Sequence, residues 1–301
     1  MRTPACRFLL PLLPLVAIVC ASVALAGTTP AQAPPREPSL FERVRNNLAK
    51  DELLDEHYTY RVHRRTYEVS TFGKVTPGPE RVFEVGPSPV DPEQVYRRLV
   101  AVDGRPLGEA ELREGDDEHR AEALKARDKR LRETPYERAR RLQKESEKAR
   151  ESRGQLDDVL RAFAFEQVGH EVVDGRSLLL VSLTPRPDAP VKTRAGRQMK
   201  KLRGRVWVDE AAGQLVRIEM EVTADISFGF GLIGHVDAGS RGMYRRAPVG
   251  NGAWAPVEAR FAGSGATLVF RPFALETWAK YTDYRPREVT NATVRAAPAQ
   301  D

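Results

Sequence analysis

The chain has 301 residues, of which 41% are hydrophobic and 30% are charged, and its 48 Lys/Arg against 42 Asp/Glu give a net charge of +6. Because acidic residues match the basic ones almost one for one, this composition argues against a nucleic-acid-binding protein and leaves attraction to anionic lipid headgroups open. The length is sufficient for one large hydrophobic core or two small ones.

The first 26 residues are predicted to be a secretory signal peptide. Arg2 and Arg7 precede an apolar run that closes with Ala24-Leu25-Ala26, the small-x-small pattern that signal peptidase accepts. We expect cleavage after Ala26 and a periplasmic mature protein. The alternatives are a retained membrane anchor and a lipoprotein acylated at Cys20.

Both cysteines of the chain, Cys6 and Cys20, lie within this signal. The mature protein is therefore expected to have no disulfide, no thiol nucleophile and no thiolate metal site. Its fold must depend on its core, and an exported chain without disulfides is typical of a bacterial cell envelope.

Residues 27–38 are rich in Pro and Ala and are predicted to be a flexible linker, after which Ser39 caps a helix that runs to about Glu56. The apolar residues of that helix recur at nearly helical spacing, so it needs an apolar surface to cover. The next predicted elements are strands, at 58–70, 72–85 and 95–102. Since no helix separates them, they indicate an antiparallel sheet rather than a βαβ fold.

The segment from Glu109 to Arg153 differs from the rest of the chain, with 14 Lys/Arg and 13 Asp/Glu. It is predicted to form two charged helices, the second beginning with Thr134 as N-cap and Pro135 at the first helical position. Either these helices are solvated and stabilised by ion pairs four residues apart, or they serve as a docking or lid element.

Strands are predicted again after this insertion, and the clearest pattern is a β-hairpin at 202–222. Apolar and polar side chains alternate in both arms, and Gly213 in the turn supplies a position with positive φ. The run 178–181 is apolar on both faces, as in a central strand. A short helix is predicted at 156–163 and a hairpin turn at Gly263-Ser264-Gly265. Further strands are predicted at 165–173, 177–184, 226–236, 242–247, 254–261, 266–273 and 277–284.

No catalytic, cofactor or metal motif stands out in the sequence. Gly229-Phe-Gly231-Leu-Ile-Gly234 matches GxGxxG, but strand and turn residues follow it where a dinucleotide site needs a helix. The five histidines are scattered, with no HxH or HExxH grouping. Glu219 and Glu221 are expected to serve solubility on a wet face. We predict a protein that is not an enzyme and has neither cofactor nor metal.

Several of these features occur together in a known family. The signal, the amphipathic helix, Tyr58-Thr-Tyr60, the series of strands, and Gly204-Arg-Val-Trp207-Val-Asp209 with Gln214-Leu-Val-Arg217-Ile-Glu219 resemble the outer-membrane lipoprotein-sorting superfamily, the LolA/LolB-like fold. The resemblance implies an α+β fold, a strongly curved antiparallel half-barrel of about ten strands. In carrier members its concave apolar face, covered by helices, receives lipid chains. We expect this domain at 39–289, with 109–153 as a charged insertion and 290–301 as a disordered tail.

The predicted function is periplasmic binding of lipid or lipoprotein acyl chains in the concave face, in envelope lipoprotein trafficking. The alternative is a structural or regulatory interaction module with a filled barrel, whose residues 109–153 bind an envelope protein. The candidate lining residues are Tyr60, Val62, Phe165, Leu179, Val181, Val206, Val208, Ile218, Met220, Phe228, Phe230, Phe261, Leu268 and Phe270. The sequence leaves open whether they line a cavity or fill a core.

Overall fold

The computed structural model describes residues 39–50, 54–70, 72, 74–91, 94–228, 234–267 and 271–287. The predicted signal, linker and C-terminal tail lie outside the described residues. Within those ranges the helices are α1 (Leu40–Lys50), α2 (Leu54–His57), α3 (Glu109–Leu131), α4 (Pro135–Ala162) and α5 (Arg194–Met199). None of these helices is long and apolar enough to cross a membrane.

The strands of the described ranges belong to one sheet. They are β1 (Tyr58–Val69), β2 (Val75–Pro77), β3 (Arg81–Pro87), β4 (Val95–Val102), β5 (Arg105–Pro106), β6 (Phe163–Val173), β7 (Arg176–Pro185), β8 (Leu202–Asp209), β9 (Gln214–Val222), β10 (Ile226–Phe228), β11 (Gly234–Val236), β12 (Arg241–Gly250), β13 (Ala253–Thr267) and β14 (Arg271–Pro286). Long β-branched and aromatic runs and tight turns, such as the one that places Gly213 at a φ of 61°, account for most of them.

The main path of the sheet runs in the order β5-β4-β3-β1-β14-β13-β12-β9-β8-β7-β6, while β2 pairs with β1 and the β10–β11 hairpin attaches to β13. Every described pairing is antiparallel. The sheet is an open half-barrel, with β5 at one end of the path and β6 at the other. The predicted fold class is therefore confirmed.

The charged insertion connects the two ends of this sheet. The chain leaves β5 at one end, forms α3 and α4, and returns as β6 at the other end. α3 contacts β4, whereas α4 contacts α5 and β6. At 1.5 Å per residue the two helices are roughly 35 and 42 Å long. Thr134 is the predicted N-cap of the second helix, and its hydroxyl accepts a hydrogen bond of 3.2 Å from the Glu137 N–H.

One predicted turn is wrong. Gly263-Ser264-Gly265 lies inside the long strand β13 and pairs with both β14 and β11, so the strand predicted at 254–261 extends to Thr267. The strand predicted at 266–273 is divided between the end of β13 and the start of β14, on either side of 268–270, which lie outside the described residues. A Cβ at Gly263 would come within 2.6 Å of the Ser240 Cβ. The glycine permits close packing within the sheet here, which the sequence pattern alone does not distinguish from a turn.

Three other boundaries differ from the prediction. The strand predicted at 72–85 is divided into β2 and β3 at the Pro-Gly-Pro sequence. The strand predicted at 226–236 is two short strands, β10 and β11, on either side of 229–233, which lie outside the described residues. The short helix predicted at 156–163 is the last part of α4, because Gly154 does not interrupt the helix. The predicted end of the first helix, at about Glu56, is not contradicted, since α1 and α2 cover 40–50 and 54–57 and residues 51–53 lie outside the described residues. α5 was not predicted, because six residues carry little periodic signal.

Candidate functional site

The two faces of the sheet differ sharply. On one face, the helix-covered face, the side chains of Leu179, Val181 and Val208 are buried together with Leu215. The opposite face, the ion-pair face, carries charged side chains of the same strands, such as Arg203 on β8 and Glu221 on β9, whose side chains are 3.2 Å apart. This contrast follows from the alternation of side chains along a strand.

Helix α1 covers the apolar patch formed by the central strands. Its residues Leu40, Val44 and Leu48 pack on the buried cluster of Leu179, Val181, Val208 and Leu215, which Val206 and Ile218 extend. The spacing of four residues puts the three α1 side chains on one side of the helix. Ser39 caps this helix as predicted, since its hydroxyl accepts a hydrogen bond of 3.3 Å from the Glu42 N–H.

Helix α1 makes polar contacts with the turn between β8 and β9. The Arg43 guanidinium donates a hydrogen bond of 3.0 Å to the Glu210 carbonyl, and the Asn47 amide donates bonds of 3.2 and 2.9 Å to the Ala212 and Gly213 carbonyls. These bonds are mostly exposed, and each contributes about 1 kcal/mol or less. α1 is therefore held mainly by its apolar side.

An aromatic pair marks the border of this patch. The rings of Phe41 on α1 and Phe165 on β6 meet edge to face, with centroids 5.3 Å apart. Both remain accessible, at 50% and 37% of their surface. Phe165 is one of the predicted lining residues, and it lies where the patch opens to solvent.

The other predicted lining residues are distributed over several clusters. Met220 and Val206 pack beside the cluster of Phe163, Leu183 and Met199 under α5, and Phe261 packs beside Val222, Ile226 and Val236. Tyr60 stacks on Tyr284, with centroids 5.0 Å apart, and Val62 pairs with Tyr281 of β14. Phe230, Leu268 and Phe270 lie outside the described residues, and only the backbone of Phe228 is described. The lining assignment stays a prediction.

A groove of about 1010 Å³ lies on the ion-pair face. Four strands each contribute three consecutive residues to its lining, and the first and third residue of each run project from the ion-pair face. These runs are 203–205, 219–221, 241–243 and 260–262. Cross-strand pairs line its floor, with Arg205 to Glu219 at 3.1 Å and Arg241 to Glu221 at 3.8 Å. Such partly exposed pairs contribute only tenths of a kcal/mol each.

The buried Trp207 is the apolar centre of the ion-pair face. Its indole N–H donates a hydrogen bond of 2.7 Å to Glu171, and the guanidinium carbons of Arg205 and Arg217 lie 5.4 and 4.9 Å from the ring centroid. From the sequence, Glu219 was predicted only to serve solubility, and the contacts around Trp207 were not predicted. Opposite charges at matching positions in the two arms of the 202–222 hairpin were the signal that could have revealed it.

A second cleft, of about 450 Å³, lies where α3 meets β4. Asp116 of α3 accepts hydrogen bonds of 2.9 and 2.6 Å from the Arg98 guanidinium and one of 3.0 Å from the Tyr96 hydroxyl. The His119 ring stacks on Tyr96 at 3.9 Å and shares a hydrogen bond of 2.8 Å with the buried Ser88. This polar network docks the first charged helix on the sheet.

The pKa of Tyr96 gives a test of this network. Burial and the hydrogen bond to Asp116 raise the pKa of Tyr96 to about 12. In an Asp116→Asn variant we expect it to fall toward 10 without reaching it, because the carboxylate is lost and the burial remains. The measurement is a spectroscopic pH titration, with Tyr96→Phe as the reference for the other seven of the 8 tyrosines. An unchanged value would contradict the docking described above.

Fold and site define a class of architecture, an open antiparallel half-barrel with an amphipathic helix on its apolar face. No protein-family model and no curated protein matches the chain. A putative outer-membrane lipoprotein-sorting domain from Vibrio parahaemolyticus aligns with 84% of this chain and 94% of its own, at 7% identity and a TM-score of 0.34.

Two further solved structures align over a similar extent. A LolA superfamily protein from Nitrosomonas europaea aligns with 80% of this chain and 91% of its own, at 9% identity and a TM-score of 0.27. The structure of the MucA/MucB complex from Pseudomonas aeruginosa contains a chain that aligns with 80% of this chain and 98% of its own, at 11% identity and a TM-score of 0.21. At these values the comparisons bear on neither ligand nor partner, and the function is argued from the chain's own residues.

Proposed function

We propose that this chain is a non-catalytic binding protein of the bacterial cell envelope that holds acyl chains of a lipid or lipoprotein on the helix-covered face, beneath α1. Envelope lipoprotein trafficking is the role that this activity would serve. The observation that carries the proposal is the way in which α1 packs on the sheet. The helix covers a contiguous apolar patch, and its polar contacts reach the turn between β8 and β9.

The free energies favour exchange of α1 for an acyl chain. The three α1 side chains Leu40, Val44 and Leu48 are partly buried, so each contributes less than the roughly 1.5–3 kcal/mol of a fully buried side chain, and together they contribute less than about 9 kcal/mol. An acyl chain of about 16 carbons gains about 0.8 kcal/mol per buried CH₂, or roughly 12 kcal/mol when fully buried. A buried acyl chain can therefore offset the displacement of the helix, and the exposed Phe41 and Phe165 lie where it would enter.

A reversible crosslink that holds α1 on the hairpin tests this proposal. The Asn47 side chain reaches the turn, with 3.2 Å between its amide nitrogen and the Ala212 carbonyl oxygen. Cysteines at these two positions can be joined by a short bifunctional methanethiosulfonate linker, which forms one disulfide with each cysteine and is released by reduction. We expect an Asn47→Cys, Ala212→Cys variant, with Cys6 and Cys20 changed to Ser, to bind a fluorescent fatty-acid probe at least about tenfold more weakly in the linked, oxidised form, since an obstructed apolar site loses 1.4 kcal/mol or more.

The reduced form of the same variant is the matched control, and it should bind the probe like the parent chain. Equal binding by the oxidised and reduced forms would show that α1 need not move. Absence of probe binding by the parent, together with no lipid in native mass spectra of protein purified from the envelope, would refute acyl-chain binding.

The second candidate function is an interaction module with a filled barrel. It is favoured by the observation that the chain's own side chains already occupy the helix-covered face in three clusters under α1, α5 and the β10–β11 hairpin. In that case the parent chain binds no acyl probe, and deletion of residues 109–153 abolishes capture of an envelope protein.

A further inference from the structure

The charges of the helical insertion are segregated along the chain. Residues 109–124 hold seven Asp/Glu and two Lys/Arg, whereas residues 125–144, around the α3–α4 connection, hold nine Lys/Arg and three Asp/Glu. We call residues 125–144 the basic elbow. Its net charge of +6 equals that of the whole chain, so the remaining residues are neutral in sum. The near balance of 109–153 conceals this asymmetry.

Most of the positive charge of the basic elbow is unpaired. Glu133 pairs with Arg141 at 2.9 Å, Arg130 is 3.8 Å from Asp91, and the Glu137 carboxylate accepts the Thr134 N–H of the capping box. The other basic residues of the elbow form no ion pair with any carboxylate in the part of the chain that the structure describes: Lys125, Arg127, Lys129, Arg132, Arg138, Arg140 and Lys144. All seven are exposed.

Large apolar side chains are exposed among these charges. Leu131 ends α3 with 74% of its surface accessible, Tyr136 in the first turn of α4 is 75% accessible, and Leu142 is 52% accessible. A solvated helix stabilised only by ion pairs has no need of them. Exposed leucine and aromatic side chains beside unpaired Lys and Arg can enter the headgroup region of an anionic membrane while the cations bind its phosphates.

We infer that the basic elbow docks the protein on an anionic phospholipid bilayer. The unpaired Lys and Arg side chains bind the lipid phosphates, while Leu131 and Tyr136 insert at the level of the headgroups. An acidic protein surface would match the charge but would not require three exposed apolar side chains surrounded by cations. The inference is independent of the proposed function, because it involves neither the helix-covered face nor α1.

The fold holds the elbow in a defined position. α3 is attached at two points. Asp116 binds Arg98 of β4, and Arg130 lies 3.8 Å from Asp91 in the connection between β3 and β4. At its far end α4 is fixed by the buried Asp158, which accepts hydrogen bonds from the N–H groups of Lys192 and Thr193. The elbow is therefore attached to the half-barrel through both of its helices.

Vesicle sedimentation of the exported protein tests this inference. We expect binding to vesicles of phosphatidylglycerol and phosphatidylethanolamine, but not to vesicles of phosphatidylcholine alone, and weaker binding at high salt. The variant Arg132→Gln, Arg138→Gln, Arg140→Gln should bind about a hundredfold more weakly, since each basic residue near an anionic surface contributes about fivefold. The variant Leu131→Ser, Tyr136→Ser should bind vesicles about tenfold more weakly, and this loss should not depend on salt because the apolar contribution is not electrostatic.

The matched control, Lys74→Gln, Arg186→Gln, Arg285→Gln, removes the same charge from exposed positions elsewhere and should bind like the parent. Circular dichroism checks that all variants are folded. Equal losses in the two triple variants would overturn the inference, as would no vesicle binding by the parent. A third result would also overturn the inference: the arginine variant loses vesicle binding, the serine variant binds like the parent, and the parent also binds soluble heparin. That result would indicate an acidic macromolecule as the partner.

Discussion

Replacement of Gly204 with alanine is expected to lower the free energy of unfolding by about 3 kcal/mol, at the upper end of overpacking effects. Gly204 lies in β8 opposite Met220 of β9. A Cβ there would overlap the Glu219 carbonyl oxygen and the Met220 sulfur. The sulfur can rotate away, but the carbonyl belongs to the strand itself, so the two central strands of the half-barrel would have to separate.

Gly242 supplies the control for this prediction. It lies in β12, across β9 in the same row, and is also opposite Met220. The nearest atom to a Cβ at Gly242 is 3.9 Å away, an ordinary contact distance. Gly242→Ala should therefore change stability by less than about 0.5 kcal/mol.

Urea unfolding with a constant m-value is the measurement. A Gly204→Ala variant as stable as Gly242→Ala would contradict the close approach of β8 and β9. We also expect no rescue by a second substitution, Met220→Ala, because the backbone oxygen rather than the sulfur limits the space.

Replacement of Asp158 with alanine is the second change with a large expected effect, also about 3 kcal/mol. This carboxylate is 1% exposed and accepts hydrogen bonds of 2.8 and 2.5 Å from the N–H groups of Lys192 and Thr193, at the start of α5. Two partly buried donors would lose a charged acceptor, and an unsatisfied buried donor costs about 1–3 kcal/mol. Gly196 leaves room for the carboxylate, since a Cβ there would be 2.7 Å from it.

The contribution of Asp158 depends on pH in a defined direction. Burial by itself raises its pKa, but the hydrogen bonds from Thr193 and Lys192 outweigh burial and hold the pKa below its ordinary value of 3.8. The folded pKa is thus lower than the unfolded one, so the stabilisation is present above about pH 4 and is lost as the pH falls through the folded value.

The difference in unfolding free energy between the parent and Asp158→Asn should therefore be constant from about pH 5 to 7 and decrease toward about pH 2. Asp188 is exposed in the same β7–α5 connection, and Asp188→Asn, measured alongside, corrects for the loss of one negative charge from this segment. A difference that grows on acidification would contradict the direction of the pKa shift.

Much of the fold could be predicted because its signals are local. The alternation in the 202–222 hairpin identified β8 and β9, and the structure pairs Val206 with Ile218 across them. Ser39 and Thr134 were recognised as N-caps from their place before an apolar or charged helical run. The apolar run at 178–181 marked the central strand β7, in which Leu178 and Leu179 are buried on opposite faces.

The candidate sites were predicted less well, for a physical reason. Apolar alternation identifies Val208 and Ile218 as buried, but what buries them depends on where α1 returns to the sheet. The ion-pair groove depends on β12 and β13 as well as the hairpin, since Arg241 reaches Glu221 only after β12 pairs with β9. The segregated charge of residues 125–144 was visible in the sequence, but the balanced total over 109–153 concealed it.

The sequence by itself determined the elements of this protein: strands by their two-residue alternation, and helices by their caps and stripes. Only the tertiary structure decided which distant strands meet, as when β1 pairs with β14 over more than two hundred residues. That pairing depends on the total burial and hydrogen bonding of the sheet rather than on any local pattern. It placed the apolar patch under α1 and carried the charged helices from one end of the half-barrel to the other.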